Sequence, residues 1–299
     1  MAKALIVGAG AIGRGYLPWE LKNFELTFFD TNTNLIDSLK ESGGYKTFMS
    51  FGTHLENYYV NNANFESSIK NINLDNFDIA IVCVGPRNLK HLPVELGAIK
   101  CPMYSLENDY ATVYELRHLL NKTNIYFGVP DVITSLTASP ENLKEDINSL
   151  HTENGVLYLE DHGDIPEKLK DLMPEVEWVS KERMIKEWDA KLYIHNTPHC
   201  IAAFYGYLHD CEYVHDALAI DSVKLKLGGV VDEVLLCTRC IARKASSLRQ
   251  RLQTGWSESS SGWSNVFLEI RVRNEPQIRK VSIFTPRPVV NPKNRYDRS

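Results

Sequence analysis

The 299-residue sequence is poor in long apolar runs; the longest uninterrupted one, residues 79–84, has six. A helix needs about 20 apolar residues to cross a bilayer, so no membrane-spanning helix is expected, in keeping with a mean hydropathy of -0.26. No basic stretch followed by an apolar core opens the chain, so no secretory leader is expected. Cysteine is sparse: the six are scattered and form no disulfide framework, which makes a reducing cytoplasm the default compartment. Internal repeats are absent. Metal-ligand clusters are nearly so. Glu160-Asp-His-Gly-Asp164 sets carboxylates beside a histidine, but neighbours along a strand point to opposite faces, so a solvated turn is expected there, and no metal. Cys237-Thr-Arg-Cys240 has no second pair and no βαβ surroundings, so neither a zinc nor a redox role is expected.

Net charge is -5 but unevenly spread, because residues 238–299 carry thirteen Lys/Arg against four Asp/Glu. Such asymmetry can mark a nucleic-acid surface. Here the basic residues form neither a helical stripe nor an RNA-binding motif, so no nucleic-acid partner is expected. Residues 255–264 are Gly/Ser-rich, and the last fifteen residues hold three Pro and four Lys/Arg; a flexible loop and a basic, flexible tail are expected.

What is present is an ordinary globular balance, 43% apolar and 24% charged, on a chain long enough for two domains. Ala4-Leu-Ile-Val7 predicts a buried strand. It runs into Gly8-Ala9-Gly10-Ala11-Ile12-Gly13-Arg14-Gly15, a G-x-G-x-x-G placed after a strand and before a helix. In that context Gly8 makes the tight turn, Gly10 lets backbone approach a pyrophosphate, Gly13 packs helix on strand, and the helix N-terminus faces the anion. A second strand, residues 25–29, ends at Asp30, seventeen residues after Gly13. A carboxylate at that offset accepts the ribose hydroxyls and repels a 2′-phosphate, so NAD rather than NADP is expected. Residues 77–84 predict a third buried strand, leading to Val84-Gly85-Pro86, and residues 102–106 a fourth, with Glu107-Asn108 at its end. Strand ends of a doubly wound sheet face the cofactor. Asn108 could reach a reacting centre there, or serve only as a turn residue or helix cap.

From about residue 182 the pattern turns helical, and the domain boundary is placed near 180: residues 1–180 for the dinucleotide and 181–299 mostly helical. The key stretch is Lys191-Leu-Tyr-Ile-His-Asn196-Thr-Pro-His199. On an α-helix of about 100° per residue, Asn196 and His199 lie one turn apart, and Lys191 lies two turns back on a broad arc of the same face. A lysine desolvated near a cleft can lose its proton near neutral pH; alternatively the stretch is an amphipathic helix with a surface lysine.

These segments, in this order, resemble the polyol-specific long-chain dehydrogenases, a family of two-domain α/β proteins. The likeness is carried by the glycine turn, Val84-Gly85-Pro86, Glu107-Asn108 and, most specifically, the whole of residues 191–208. It is good to about residue 236, poor over 237–263 and faint to 280. Where the family tends to carry an Asp-Arg pair this chain has Thr134-Ser135, and the second domain reads as shortened. The resemblance implies an NAD-binding Rossmann sheet, a helical substrate domain, no metal, and hydride exchange between a sugar-alcohol carbon and nicotinamide. It also implies Lys191 as general acid/base, Asn196 and Asn108 as donors to the reacting oxygen, and His199 as an orienting group. A non-catalytic NAD-binding protein and a hexuronate dehydrogenase of the same superfamily remain alternatives on these residues.

Overall fold

The computed structural model describes residues 1–51, 54–211 and 214–237. The basic tail, the Gly/Ser-rich loop, the second cysteine of the C-x-x-C and the faint likeness beyond residue 263 lie outside the described residues. The chain forms eleven strands and nine α-helices among the described residues. In order they are β1 (Ala2–Val7), α1 (Leu17–Glu20), β2 (Phe24–Phe29), α2 (Thr33–Ser42), β3 (Tyr45–Ser50), β4 (Leu55–Val60), β5 (Ala63–Glu66), β6 (Ile79–Val82), β7 (Met103–Ser105), α3 (Ala111–Leu119), β8 (Ile125–Asp131), α4 (Pro140–Glu145), β9 (Leu150–Glu153), β10 (Val156–Glu160), α5 (Glu167–Leu172), β11 (Glu177–Val179), α6 (Lys181–Ala190), α7 (Thr197–Leu208), α8 (Val214–Ala219) and α9 (Asp221–Cys237).

Eight strands form one sheet in the order β11-β10-β8-β7-β6-β1-β2-β5. The six from β8 to β5 run parallel, and β10 joins β8 antiparallel. Alternation along β1 shows why both faces are covered. Ala4 and Ile6 enter one apolar cluster and Leu5 and Val7 the other, as a period of two requires. A strand buried on both faces reads as a continuous apolar run, which is what β1 and β6 show. Each such Leu, Ile or Val contributes roughly 1.5–3 kcal/mol on burial. The fold is α/β, a doubly wound sheet followed by helices, as expected from the sequence. Order reverses between β1 and β6, and ligands of such sheets bind in the crevice at that point.

Residues 45–65, which show no period in sequence, hold three strands. β5 extends the main sheet, while β3 pairs with β4 and, in parallel, with β9 to make a second, three-stranded sheet. Beyond β11 the described residues, to 237, are mostly helical. Ala202, Val214, Val223 and Leu227 form a separate small core where α7, α8 and α9 meet.

Candidate active site

Both segments singled out in sequence adopt π-helical turns: Ala11–Tyr16 ahead of α1, and Lys191–Asn196 between α6 and α7. Such turns bond i to i+5 and recur at functional sites. The first carries the glycine motif. Gly8 has φ +107, and a Cβ there would stand 2.7 Å from the Cys83 carbonyl; on Gly13 it would lie 1.9 Å from the Gly8 carbonyl. Gly10 precedes the turn, with nothing within 4 Å of where its Cβ would be. Ala11 and Ile12 open the turn half-buried. The arrangement leaves room at Gly10 and closes it at Gly8 and Gly13, which fits a turn that must admit a pyrophosphate against its backbone.

Asp30 lies beside this turn and braces it. Its Oδ2 accepts from the Ala9 N–H at 2.8 Å and its Oδ1 from the Asn32 N–H at 2.9 Å. A carboxylate offers about four acceptor positions, so capacity for two ribose hydroxyls remains. The bracing role was not legible in the sequence. Nor was that of Arg14, a buried guanidinium whose Nε donates to the Ala9 carbonyl at 2.6 Å and whose Nη1 donates to Asn148 O at 2.8 Å. The second sheet holds the same turn. Tyr45 Oη donates to Arg14 O at 2.8 Å and Thr47 Oγ1 to Gly15 O at 2.5 Å, both from β3. Gly15 packs so closely on Thr134 that a Cβ would meet its methyl at 2.4 Å.

Val84 and Gly85, half-buried, follow β6 at the same edge. Gly85 has φ +87, and its N–H donates to Glu107 Oε1 at 2.9 Å. Glu107 is only 5% exposed. Burial raises its carboxyl to about 7, against the pull of the Gly85 and Val84 N–H groups. Asn108 is half-buried, and its carbonyl accepts from Trp188 Nε1 at 3.0 Å. That bond ties the end of β7 to α6.

The second π turn has an identifiable cause. Pro198, in the first turn of α7, has no N–H, and a proline ring clashes with the carbonyl of residue i-4, here Ile194. The α register therefore gives way upstream, and Thr197 Oγ1 donates to Leu192 O at 3.0 Å. On a regular α-helix Lys191 and Asn196 would stand about 140° apart; an i-to-i+5 turn brings them toward one side. The regular helix assumed from the sequence is corrected on this point.

Lys191 is 6% exposed, which removes the surface-lysine alternative. Its Nζ donates to the carbonyl of Pro130 near the end of β8. Asn196 is 9% exposed, and its Nδ2 is buried without a hydrogen-bond partner among the described residues. His199 Nδ1 lies 2.7 Å from the His195 carbonyl. A carbonyl only accepts, so Nδ1 carries the proton and Nε2 is the acceptor nitrogen. Burial, then the neighbouring His195, lowers His199 to about 3, so its ring is neutral at any working pH.

His195 attracted no attention in sequence, yet it has partners on three sides. Its Nδ1 is 3.0 Å from Asp131 Oδ1, its Nε2 is 3.6 Å from Glu153 Oε1, and its ring stacks on His199 at 5.2 Å. Burial opposes charge on this imidazole, but the hydrogen bond and charge of Asp131, with Glu153, outweigh it and hold the ring above the usual histidine range. Glu153 is itself raised by burial, partly offset by His195 and the Ile133 N–H.

No group of three or more His, Cys, Asp or Glu suited to a metal occurs among the described residues. The Glu160–Asp164 segment is less solvated than expected: Glu160 is buried and its Oε2 accepts from the Phe127 N–H at 3.2 Å. Thr134 and Ser135 are buried as well, with Thr134 Oγ1 2.8 Å from Thr152 Oγ1.

The strand ends now collect one site. Gly8, Asp30, Val84, Gly85 and Asn108 follow the carboxyl ends of β1, β2, β6 and β7, and Lys191 and His195 reach the end of β8 through Pro130 and Asp131. No family model matches the chain. The resemblance to polyol dehydrogenases is borne out by curated relatives. The chain is 25% identical to the mannitol-1-phosphate 5-dehydrogenase of Shouchella clausii over 269 residues, 77% of this chain and 67% of that one. It spans about two thirds of the length of the curated relatives it matches. Among solved structures, mannitol 2-dehydrogenase of Pseudomonas fluorescens, in ternary complex with NAD and D-mannitol, superposes with a TM-score of 0.58 at 13% identity, over 78% of this chain and 68% of that one. A PanE/ApbA-family ketopantoate reductase from Ralstonia eutropha gives 0.57 at 17% identity, over 88% and 84%. These structural likenesses establish the Rossmann-type dehydrogenase fold.

Proposed function

We propose that the chain is an NAD-dependent dehydrogenase that interconverts a polyol or polyol phosphate, of the mannitol 1-phosphate type, with the corresponding ketose. The observation that carries this reading is the buried pair on one π turn: Lys191, desolvated at the end of β8, and Asn196 with an unpartnered donor. An alcohol oxidation needs both a base whose pKa lies near the working pH and neutral donors for the oxygen that gains charge.

In this reading residues 1–180 hold the cofactor and residues from α6 onward carry the substrate groups. The backbone at Gly8–Gly13 receives the pyrophosphate, Asp30 the adenosine ribose, and Val84-Gly85 the chain beyond it. When bound, the nicotinamide ring supplies the hydride acceptor. Lys191 Nζ takes the proton of the substrate hydroxyl and returns it in the reverse direction. Asn196 Nδ2 and the Asn108 amide donate to the same oxygen. His199, neutral throughout, accepts from a neighbouring hydroxyl at Nε2. The likeness to mannitol-1-phosphate 5-dehydrogenases supports the substrate class, and the cytoplasm is the proposed compartment.

The test is NADH formation from mannitol 1-phosphate, mannitol, other hexitols and hexuronates, run beside NAD and NADP titrations. Turnover of a polyol or its phosphate with NAD is expected. NAD binding with no turnover on any of them supports the non-catalytic alternative, and turnover of hexuronates alone supports the other.

A further inference from the structure

We propose that His195, clamped between Asp131 and Glu153, is a positive charge that shifts Lys191 toward its neutral, proton-accepting form. The inference rests on the dehydrogenase reading for its purpose, but not for its geometry. Lys191 and His195 occupy one π turn, four residues apart. Lys191 Nζ bonds the carbonyl of Pro130, and the next residue, Asp131, binds His195 at 3.0 Å. Glu153 closes the other side of the ring at 3.6 Å from β9.

The charges facing this spot can be taken element by element. β8 offers Asp131 and β9 offers Glu153. On α7, His199 is stacked against His195 and is neutral. On α6, the buried Glu187 faces Arg183 Nε at 3.4 Å, and α9, which also packs on the turn, carries Lys224 paired with Asp221 at 3.6 Å, Lys226 over the Tyr205 ring, and Asp232 and Glu233 further along. Two carboxylates beside a lysine favour its ammonium form, and an opposite charge within about 4–6 Å shifts a pKa by roughly 1–3 units. Left alone, Asp131 and Glu153 would hold Lys191 protonated and useless as a base. An imidazolium between them offsets one of the two negative charges and repels a second positive charge, so the pull on Lys191 is weakened. Lys191 and His195 each disfavour the other's charge, and Glu153 responds to both. The carboxylates pair with the histidine, and the lysine feels less of their attraction. His195 is thus a positioning residue for charge, acting through Lys191 and not on the substrate.

The experiment is a pH titration of the full chain by side-chain NMR, following the Lys191 Nζ/Cε and His195 ring resonances. Lys191→Arg and His195→Gln assign the two signals. His195 should titrate above an ordinary histidine, and Asp131→Asn should lower its ionisation. In His195→Gln the Lys191 ionisation should rise by about one unit, roughly a tenfold loss of neutral amine at a given alkaline pH. His195→Arg should restore the original value. A His195 ring that titrates no higher than an ordinary histidine in the unmodified chain overturns the proposal, with no need for any variant to fold. So does a Lys191 ionisation that is the same with and without His195. The dehydrogenase reading fails separately, on the absence of NADH formation, while these titrations still report.

Discussion

Trp188 Nε1 donates to the carbonyl of Asn108 at 3.0 Å, and its indole stands edge-on to Phe127 with ring planes at 90°. One side chain therefore fixes the distance between the end of β7 and the helix that delivers Lys191. A neutral hydrogen bond of this kind is worth about 1 kcal/mol net. Trp188→Phe keeps a ring on Phe127 and removes the donor. It should lower the melting temperature by only a few degrees while reducing turnover severalfold with NAD affinity unchanged. Calorimetry and steady-state kinetics on the same preparation check both. Unchanged turnover would show that Asn108 is positioned by β7 alone.

Glu107 makes the protein's stability depend on pH. Its carboxyl is raised from 4.5 to about 7 by burial. A raised carboxyl favours folding fully below the unfolded pKa, and the advantage is lost as pH climbs through the folded value. From about pH 4.5 to 7 the folded chain holds a proton that the unfolded chain has released, so stability falls with pH in that window. Above it, the ionised group costs roughly 3 kcal/mol against an exposed carboxylate. Glu107→Gln keeps an acceptor for the Gly85 N–H without the charge. Denaturant melts between pH 5 and 8.5 should show the variant more stable than the unmodified chain at pH 8.5, with the gap closing toward pH 5.

Asp30 has two roles, and its removal should expose both. Asp30→Ala strips the acceptor from the Ala9 and Asn32 N–H groups, and bonds to a charged group are worth about 1.5–3 kcal/mol each when well formed. NAD affinity should fall, and thermal stability with it, whereas NADP affinity should gain little because the turn itself loosens. Isothermal titration with both cofactors, beside a melting curve, checks this. A variant that keeps full stability would show the brace to be dispensable.

The lysine and the histidine can be told apart by pH. Polyol oxidation should rise with pH through one ionisation in the slightly alkaline range. Lys191→Ala should lose that limb and most of the rate, and Lys191→Arg should not rescue it, since a guanidinium stays protonated. His199→Ala should keep the limb at reduced turnover, because His199 is held near 3 and has no proton to exchange there. Single-turnover rates from pH 6 to 10 decide it. Loss of the limb in His199→Ala alone would exchange the two roles.

Much of this was legible in the chain. Gly8 to Gly13 and Asp30 announce themselves because each needs a residue type that little else can replace: no Cβ in one case, a short carboxylate in the other. Alternation and buried runs pointed to β1, β2, β6 and β7 within a few residues. Other features were hidden for physical reasons. β3, β4 and β9 form a sheet through pairings such as Thr47 with Leu150, a partnership no local pattern encodes. The π turn at Lys191–Asn196 follows from Pro198, whose steric effect falls four residues upstream of the ring and so escapes a scan for regular periodicity. Glu107 and His195 sat next to residues already given a role and received none of their own; only burial and their partners reveal them. Arg14 drew no role inside a glycine run, yet its Nε and Nη1 tie that turn to the Ala9 and Asn148 carbonyls.

Tyr45 and Thr47 bond the Arg14 and Gly15 carbonyls from a strand whose own parallel partner lies about a hundred residues further along the chain. Contacts of such sequence separation are slow to form, because loop-closure entropy is spent before they repay it. The glycine turn is therefore a local sequence motif with a non-local completion step. β1 and β2 are close in sequence, whereas the Arg14 bond to Asn148 O and the β3–β9 pairing span more than a hundred residues and are expected to close later. Nucleotide added during refolding is therefore expected to be captured only by molecules in which that long-range closure has occurred.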